Sequence, residues 1–130
     1  MNRRRGSTLV ESTLVTTTFL LLLVGIAEFG RLGFAYNSIT YAAHRAARYA
    51  ATRGSSSGHA ASVSDIQSSA LASLAALDNT KITTAVTWTP NNGPGGRVRV
   101  MVTYNFQPLL IPLSGNAISL QSTAVQVVTQ

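Results

Sequence analysis

An uncharged and mostly apolar stretch runs from Ser12 to Ala27 near the start of the chain. Residues 7–27 are long enough to cross a bilayer as a helix, which takes about 20 residues. Three arginines stand immediately before this segment, at positions 3–5. Because basic residues favour the cytoplasmic side, the pattern predicts a single pass with a cytoplasmic N-terminus and an outward C-terminal part.

The helical pattern continues beyond the apolar stretch. No proline occurs between Glu28 and Arg53, and small or apolar residues recur there at helical spacing. These residues are Phe29, Leu32, Tyr36, Ile39, Ala43, Ala46 and Ala50. One continuous helix over residues 8–53 would be on the order of 70 Å long at 1.5 Å per residue. Only part of it fits in a bilayer, so the rest must project and pack on another element.

A link and a second, shorter helix follow. Arg-Gly-Ser-Ser-Ser-Gly at residues 53–58 predicts the end of the long helix. The second helix is predicted from about Ser64 to Leu77, with Ser64 and Gln67 at the spacing of a capping box. Its apolar face consists of Val63, Ile66, Ala70, Leu71, Leu74 and Leu77. Asp78 and Asn79 end it.

The hydrophobic period then changes from helix to strand. Alternation predicts a first strand with Ile82, Thr84, Val86 and Trp88 on one face, and a second with Val98, Val100, Val102, Tyr104 and Phe106 on one face. A turn rich in proline, asparagine and glycine separates them at residues 90–96. Ile118 and Leu120 begin a third strand. Val125 and Val127 have the opposite parity, which predicts a bulge or two-sided burial around Ser122.

These elements predict an α+β fold. It consists of a long N-terminal transmembrane helix, a short second helix and a small antiparallel sheet of about three strands on one flank of the helices. The formal charge of +6 comes from ten basic and four acidic residues, and three of the basic residues precede Gly6. The others are scattered without a basic stripe interleaved with aromatics, so we predict no nucleic-acid partner.

Candidate chemistry is sparse. His44 and His59 are the two histidines and the chain has no cysteine, so we predict no metal site, no cofactor and no catalytic residue. Tyr36, Tyr41 and Tyr49 on the long helix are either interface aromatics or core residues. Without disulfides, a small outward-facing domain must rely on packing or assembly for its stability.

One carboxylate, Glu11, stands at the head of the uncharged stretch. Such a charge costs roughly 2.5–3.5 kcal/mol at the bilayer centre and less near the interface. A desolvated charge needs a partner of opposite sign, because opposite charges attract strongly in a low dielectric. The sequence leaves two alternatives open for Glu11: an amine placed beside it, or the interfacial water.

The N-terminal motifs resemble a known family. Met-Asn-Arg-Arg-Arg-Gly followed by Ser-Thr-Leu-Val-Glu is similar to the leader and cleavage region of a type IV prepilin. Further similarity lies in the leucine run at 20–23, in Gly25–Arg31, at Tyr36 and in Ala42–Ala50. Over roughly residues 6–51 the chain resembles the TadE-like family, which comprises minor pilins or pseudopilins of the Tad (tight adherence, type IVc) pilus.

The resemblance implies a processing and assembly chemistry. A membrane-embedded prepilin peptidase would cut between Gly6 and Ser7 on the cytoplasmic side. Glu11, then the fifth residue, would face the N-terminal amine of a neighbouring subunit or its own. Further partners implied are other pilins and the Tad assembly machinery, reached through the N-terminal helix, and the inner membrane. The location implied is the inner membrane before assembly and the surface pilus afterwards, with roles in pilus assembly and surface adhesion.

The resemblance also implies a division of the chain. Residues 1–6 would be the leader, residues 7–53 the long helix with its transmembrane part at 7–27, and residues 54–130 an extracytoplasmic α+β domain. Two departures concern packing. Ser12 stands where the family usually has an aromatic residue, and Thr16–Thr18 falls where a proline is common. Threonine can bond back to the helix backbone and bend it slightly.

Two alternatives to a pilin remain. Gly25-Ile26-Ala27 has the small-x-small form of a signal-peptidase site, whose cleavage would release residues 28–130 as a secreted binding module. The chain would otherwise be a membrane-anchored binding module that is neither cleaved nor polymerised. The mature N-terminus distinguishes these cases.

Overall fold

The computed structural model describes residues 3–109 and 117–129. The elements are α1 (Arg3–Ala51), α2 (Val63–Ala72), a short 3-10 helix (Asn79–Lys81), β1 (Ile82–Thr89), β2 (Arg97–Phe106) and β3 (Ile118–Val127). The strands form one antiparallel sheet in the order β1-β2-β3. One side of this sheet packs on α1, which contacts β2 and β3, and α2 packs between α1 and β1. The predicted α+β fold is confirmed.

Helix α1 is continuous over 49 residues. It begins at Arg3, before the predicted Ser7, and ends at Ala51, two residues before the predicted Arg53. The end of the helix is tied to the tail that follows β3. The backbone N–H of Thr129 donates to the Ala51 carbonyl oxygen at 3.0 Å, and the Thr129 hydroxyl donates to the same oxygen at 3.2 Å. These bonds satisfy a carbonyl that the helix itself leaves without a partner.

The second half of α1 covers the sheet with an alanine face. Its buried residues are Ala35, Ile39, Ala42, Ala43, Ala46, Ala47, Ala50 and Ala51. Small side chains let the helix backbone approach the strands closely. Of the residues that recur at helical spacing, Phe29 and Tyr36 lie outside this face, since they are 79% and 48% exposed. Phe29 lies one turn before Leu32, which is half-buried against the core, and Tyr36 lies beside the buried stripe.

The predicted faces of the first two strands are confirmed. Every second residue of β2, from Val98 to Phe106, is buried against the helices. In β1 the residues Ile82, Thr84, Val86 and Trp88 are half-buried and alternate with exposed ones. Because β2 is the central strand, its inward side chains meet α1 directly and form the middle of the core.

The bulge or two-sided burial predicted around Ser122 in β3 is wrong. Strand β3 pairs with β2 in unbroken register from Arg97↔Val127 to Phe106↔Ile118. Leu120 faces the helices, and so do the alternate residues Ser122, Ala124 and Gln126. Val125 and Val127 lie on the exposed outer face of the sheet. After Leu120 the inward positions hold small or polar residues, and α1 runs over β3. Hydrophobicity alone therefore indicates the wrong face for this part of the strand.

Helix α2 begins and ends earlier than predicted. Its N-cap is Ser62, and the capping box joins Ser62 to Asp65 instead of Ser64 to Gln67. Asp65 accepts hydrogen bonds from the Ser62 hydroxyl at 2.6 Å and the Ser62 N–H at 3.0 Å, and these bonds lower the pKa of the Asp65 carboxyl. The helix ends at Ala72, and the chain continues in turns past the buried Leu74.

Gln67 has a different role from the predicted cap. Its side-chain amide donates to the backbone carbonyl of Thr84 at 3.1 Å and so ties α2 to β1. At the far end of the sheet, the turn after β1 includes Gly95 at φ +82°. The N–H of Gly95 donates to the Val128 carbonyl at 2.9 Å, and the Val128 N–H donates to the Gly96 carbonyl at 2.8 Å. The turn after β1 and the end of α1 therefore lie at the same end of the fold, since both are bonded to the segment Val128–Thr129.

We expect the alanine face to be intolerant of larger side chains. Ala46→Leu should reduce the free energy of unfolding by about 1–3 kcal/mol, because the added carbons have no space between α1 and the sheet. His44→Leu, at an exposed position of the same helix, should change it by less than about 0.5 kcal/mol. Urea unfolding of the full chain in mild detergent, followed by Trp88 fluorescence, measures both. Equal effects of the two variants would contradict the packing described.

Candidate membrane and assembly segment

The first half of α1 carries an apolar surface that no other described element covers. Among its large side chains, Leu9, Leu14, Phe19 and Ile26 are 58–69% exposed. Within the described residues, one helix is long and apolar enough to cross a membrane, the part of α1 at Gly6–Ala51, and its most apolar window is 0% buried. Residues 6–27 span about 33 Å at 1.5 Å per residue, against a hydrocarbon core of about 30 Å.

Threonine hydroxyls within this surface bond to the helix itself. Thr13 donates to the Leu9 carbonyl at 2.8 Å, and Thr17 donates to the Thr13 carbonyl at 2.8 Å. Thr18 makes the same kind of bond to Leu14 at 2.9 Å. The predicted back-bonding is thus confirmed, and α1 stays unbroken at these residues. Because the hydroxyls need no water, the segment is compatible with lipid.

Glu11 differs from the other three carboxylates of the chain. Glu28 pairs with Arg31 at 2.9 Å, Asp65 bonds to Ser62, and Asp78 bonds to the Thr80 hydroxyl and lies 3.7 Å from Lys81. The exposed Glu11 has no ion pair or hydrogen bond with the side chains described at 6–109 and 117–129.

The residues of the predicted cleavage site lie close to Glu11. Gly6 and Ser7 are in α1 and exposed, and apart from the adjacent helix backbone no described atom lies within 4 Å of the Cβ position at Gly6. Ser7 precedes Glu11 by four residues, so the two lie on the same face of the helix, one turn apart. The geometry brings together the three residues singled out from the sequence, on an accessible stretch of helix.

The tyrosines of α1 fall into two groups. Tyr49 is half-buried, its hydroxyl accepts a hydrogen bond from Arg53 at 2.7 Å, and the Arg53 guanidinium lies 4.4 Å from its ring centroid. Tyr36 and Tyr41 are 48% and 61% exposed, so they are available to a partner. His44 and His59 are also exposed, and the described part of the chain contains no cluster of three or more metal-ligating side chains.

Sequence reasoning missed the junction where the apolar segment meets the folded domain. Arg31 lies three residues after Glu28 on α1 and donates to both of its carboxylate oxygens at 2.9 Å. Glu28 also accepts a hydrogen bond from the backbone N–H of Leu109 at 3.1 Å, and the Arg31 guanidinium lies 5.3 Å from the ring centroid of Phe106. Leu109 and Phe106 are far from Glu28 and Arg31 in the sequence. The one local sign of this junction was the position of Glu28 directly after the apolar stretch.

Comparison with known proteins supports the resemblance drawn from the N-terminal motifs. The family described as TadE-like protein matches residues 6–48, about a third of the chain. The match includes Glu11, the exposed apolar surface and most of the alanine face of α1. No curated protein and no solved structure matches the chain. Residues 6–48 are therefore similar to the TadE-like family.

Proposed function

We propose that the protein is a minor pilin or pseudopilin of a Tad-type (type IVc) pilus, cut by prepilin peptidase between Gly6 and Ser7. In this role it takes part in pilus assembly and surface adhesion. The observation that carries the proposal is Glu11, a carboxylate without a partner among the described side chains, in an exposed apolar helix that matches the TadE-like family.

Cleavage would supply the missing partner. Cutting before Ser7 creates an α-amino group, which is largely protonated at neutral pH because its ordinary pKa is about 7.7–8.0. This amine lies one helical turn from Glu11 of the same chain, and it can equally meet Glu11 of a neighbour. In the low dielectric of a membrane or of a helix bundle, the attraction between the two charges offsets part of their desolvation.

The exposed apolar surface fits two successive environments. Before assembly, residues 7–27 would cross the inner membrane with the N-terminus in the cytoplasm and residues 54–130 outside. After assembly, the helices of other pilins would replace lipid around the same surface. Gly25, Gly30 and Gly33 would permit close approach of such helices, and apart from the adjacent helix backbone no described atom lies within 4 Å of the Cβ position at any of them.

Processing tests this proposal against its alternatives. In cells with active prepilin peptidase, we expect the intact mass of the membrane-extracted chain to correspond to an N-terminus at Ser7. Gly6→Leu should retain residues 1–6, because a bulky side chain blocks the site of the cut. Gly25→Leu, also at an exposed helical glycine, is the matched control and should be processed normally.

Other N-termini would contradict the proposal. An N-terminus at Glu28, with processing disturbed in Gly25→Leu, would indicate a secreted binding module. An intact Met1 in the wild-type chain would indicate a membrane-anchored binding module that does not polymerise.

A second test concerns Glu11. We expect Glu11→Ala to be cleaved normally but to be recovered in sheared pili at a level at least about tenfold lower, which corresponds to an interaction of about 1.4 kcal/mol or more. Glu11→Asp keeps the charge and should retain part of the incorporation. Quantitative immunoblotting of pili and membranes measures both pools. Wild-type incorporation of Glu11→Ala would overturn the role assigned to this carboxylate.

A further inference from the structure

The chain after β2 returns to α1 at the point where the apolar segment ends. The strand ends at Phe106, and three residues later the N–H of Leu109 donates to the Glu28 carboxylate at 3.1 Å. Glu28 directly follows Ala27, the last residue of the membrane-length stretch. Leu109 is therefore held at the level of the outer end of that stretch.

Leu109 and Phe29 are the most exposed large apolar side chains in the described part of the chain. They are 73% and 79% exposed. Phe29 follows Glu28 on the helix, and Leu109 is bonded to Glu28 through its backbone, so the two lie at the same height on α1. Exposed side chains of this size beside a membrane segment indicate a contact that the isolated chain does not satisfy.

The polar groups at this junction are already satisfied. The Glu28 side chain is 13% exposed and paired with Arg31, and it also satisfies the N–H of Leu109. The Arg31 side chain is 45% exposed and lies over the ring of Phe106. The junction thus offers apolar side chains, a neutralised ion pair and a bonded amide. Such a combination suits the headgroup–acyl boundary of a bilayer, where side chains with apolar and polar parts are favoured.

The length of the helix identifies the lipid surface as the occupant. Residues 6–27 are already sufficient to cross the hydrocarbon core, about 33 Å at 1.5 Å per residue against about 30 Å. A helix that crosses the bilayer over these residues brings Glu28 to its outer boundary. The sequence beyond Arg99 contains no charged residue, so nothing in the segment after Leu109 opposes lipid contact electrostatically.

We propose that Leu109 and Phe29 insert into the outer boundary of the bilayer as a second membrane contact, and that Glu28 holds Leu109 there. This inference rests on the proposed membrane anchoring by residues 7–27. It adds that the folded domain is seated on the membrane surface through the end of β2, instead of being tethered by the helix alone.

The test uses the full chain, which naturally has no cysteine. Leu109→Cys and, as a matched control, Val127→Cys are labelled with an environment-sensitive NBD dye. Val127 is also apolar and exposed, at 53%, but it lies at the opposite end of the sheet, beside Arg97. The labelled proteins are reconstituted into vesicles of phosphatidylcholine and phosphatidylglycerol that carry a nitroxide lipid. We expect a blue shift and a loss of fluorescence at position 109, and neither at position 127.

Two variants test the role of Glu28. Glu28→Ala removes the acceptor of the Leu109 N–H and should reduce nitroxide quenching of the label at position 109. Glu28→Gln keeps a carbonyl acceptor and should retain most of the quenching. Unchanged Trp88 fluorescence in both variants checks that the domain remains folded.

Three results would overturn the inference. In the first, the chains float with the vesicles, but aqueous iodide quenches the label at position 109 as strongly as the label at position 127. The helix would then anchor the chain while Leu109 remains in water. In the second, the label at position 109 is protected from iodide at high protein density but loses this protection when the protein is diluted in lipid. That result would indicate that a second copy of the chain covers Leu109. Failure of the full chain to float with vesicles would reject the anchoring itself and this inference with it.

Discussion

The architecture depends on the packing of one helix face against a sheet. The second half of α1 presents mainly alanines to β2 and β3, and the inward positions of β3 are correspondingly small or polar. The first half of the same helix presents leucines, valines and phenylalanines that no described element covers. Because α1 is unbroken between these halves, the domain and the apolar segment are joined rigidly, and any environment that takes up the segment also orients the domain.

The two glutamates of α1 stand at opposite ends of the uncharged stretch and have different surroundings. Glu28 lies at the junction, paired with Arg31 and bonded to the N–H of Leu109, so its charge is compensated within the fold. Glu11 has no such partner among the side chains described at 6–109 and 117–129. A paired charge therefore lies where the domain begins, and a charge without a partner among the described side chains lies where the proposed N-terminal amine would appear. This difference supports an assembly role for Glu11 more directly than its position in the sequence does.

Much of the fold could be predicted because regular hydrophobic patterns act locally. The strict alternation from Arg97 to Phe106 defined β2, and the absence of proline allowed one long helix. Prediction failed where tertiary contacts replaced that pattern. In β3 the side chains under α1 are small, so the apolar Val125 and Val127 suggested a bulge that does not exist.

Similar limits applied at the remaining sites. Ser62 and Ser64 both have a polar side chain three residues later, and sequence alone does not decide between them as the N-cap. The bond from Leu109 to Glu28 joins residues 81 positions apart, beyond the reach of any local pattern. The candidate site at Gly6, Ser7 and Glu11 was found from its motif, because its chemistry depends on short spacing along one helix.

The most direct test of this account is a nitroxide accessibility scan along α1 in lipid vesicles. Leu14, Leu21, Phe34 and Tyr41 are all exposed, at 67%, 67%, 54% and 61%, so labels there report the environment and not the packing. We expect labels at 14 and 21 to be relaxed by oxygen dissolved in lipid and protected from a water-soluble nickel reagent, and labels at 34 and 41 to show the reverse. Access of the nickel reagent to position 21 on vesicle-bound chains would contradict it.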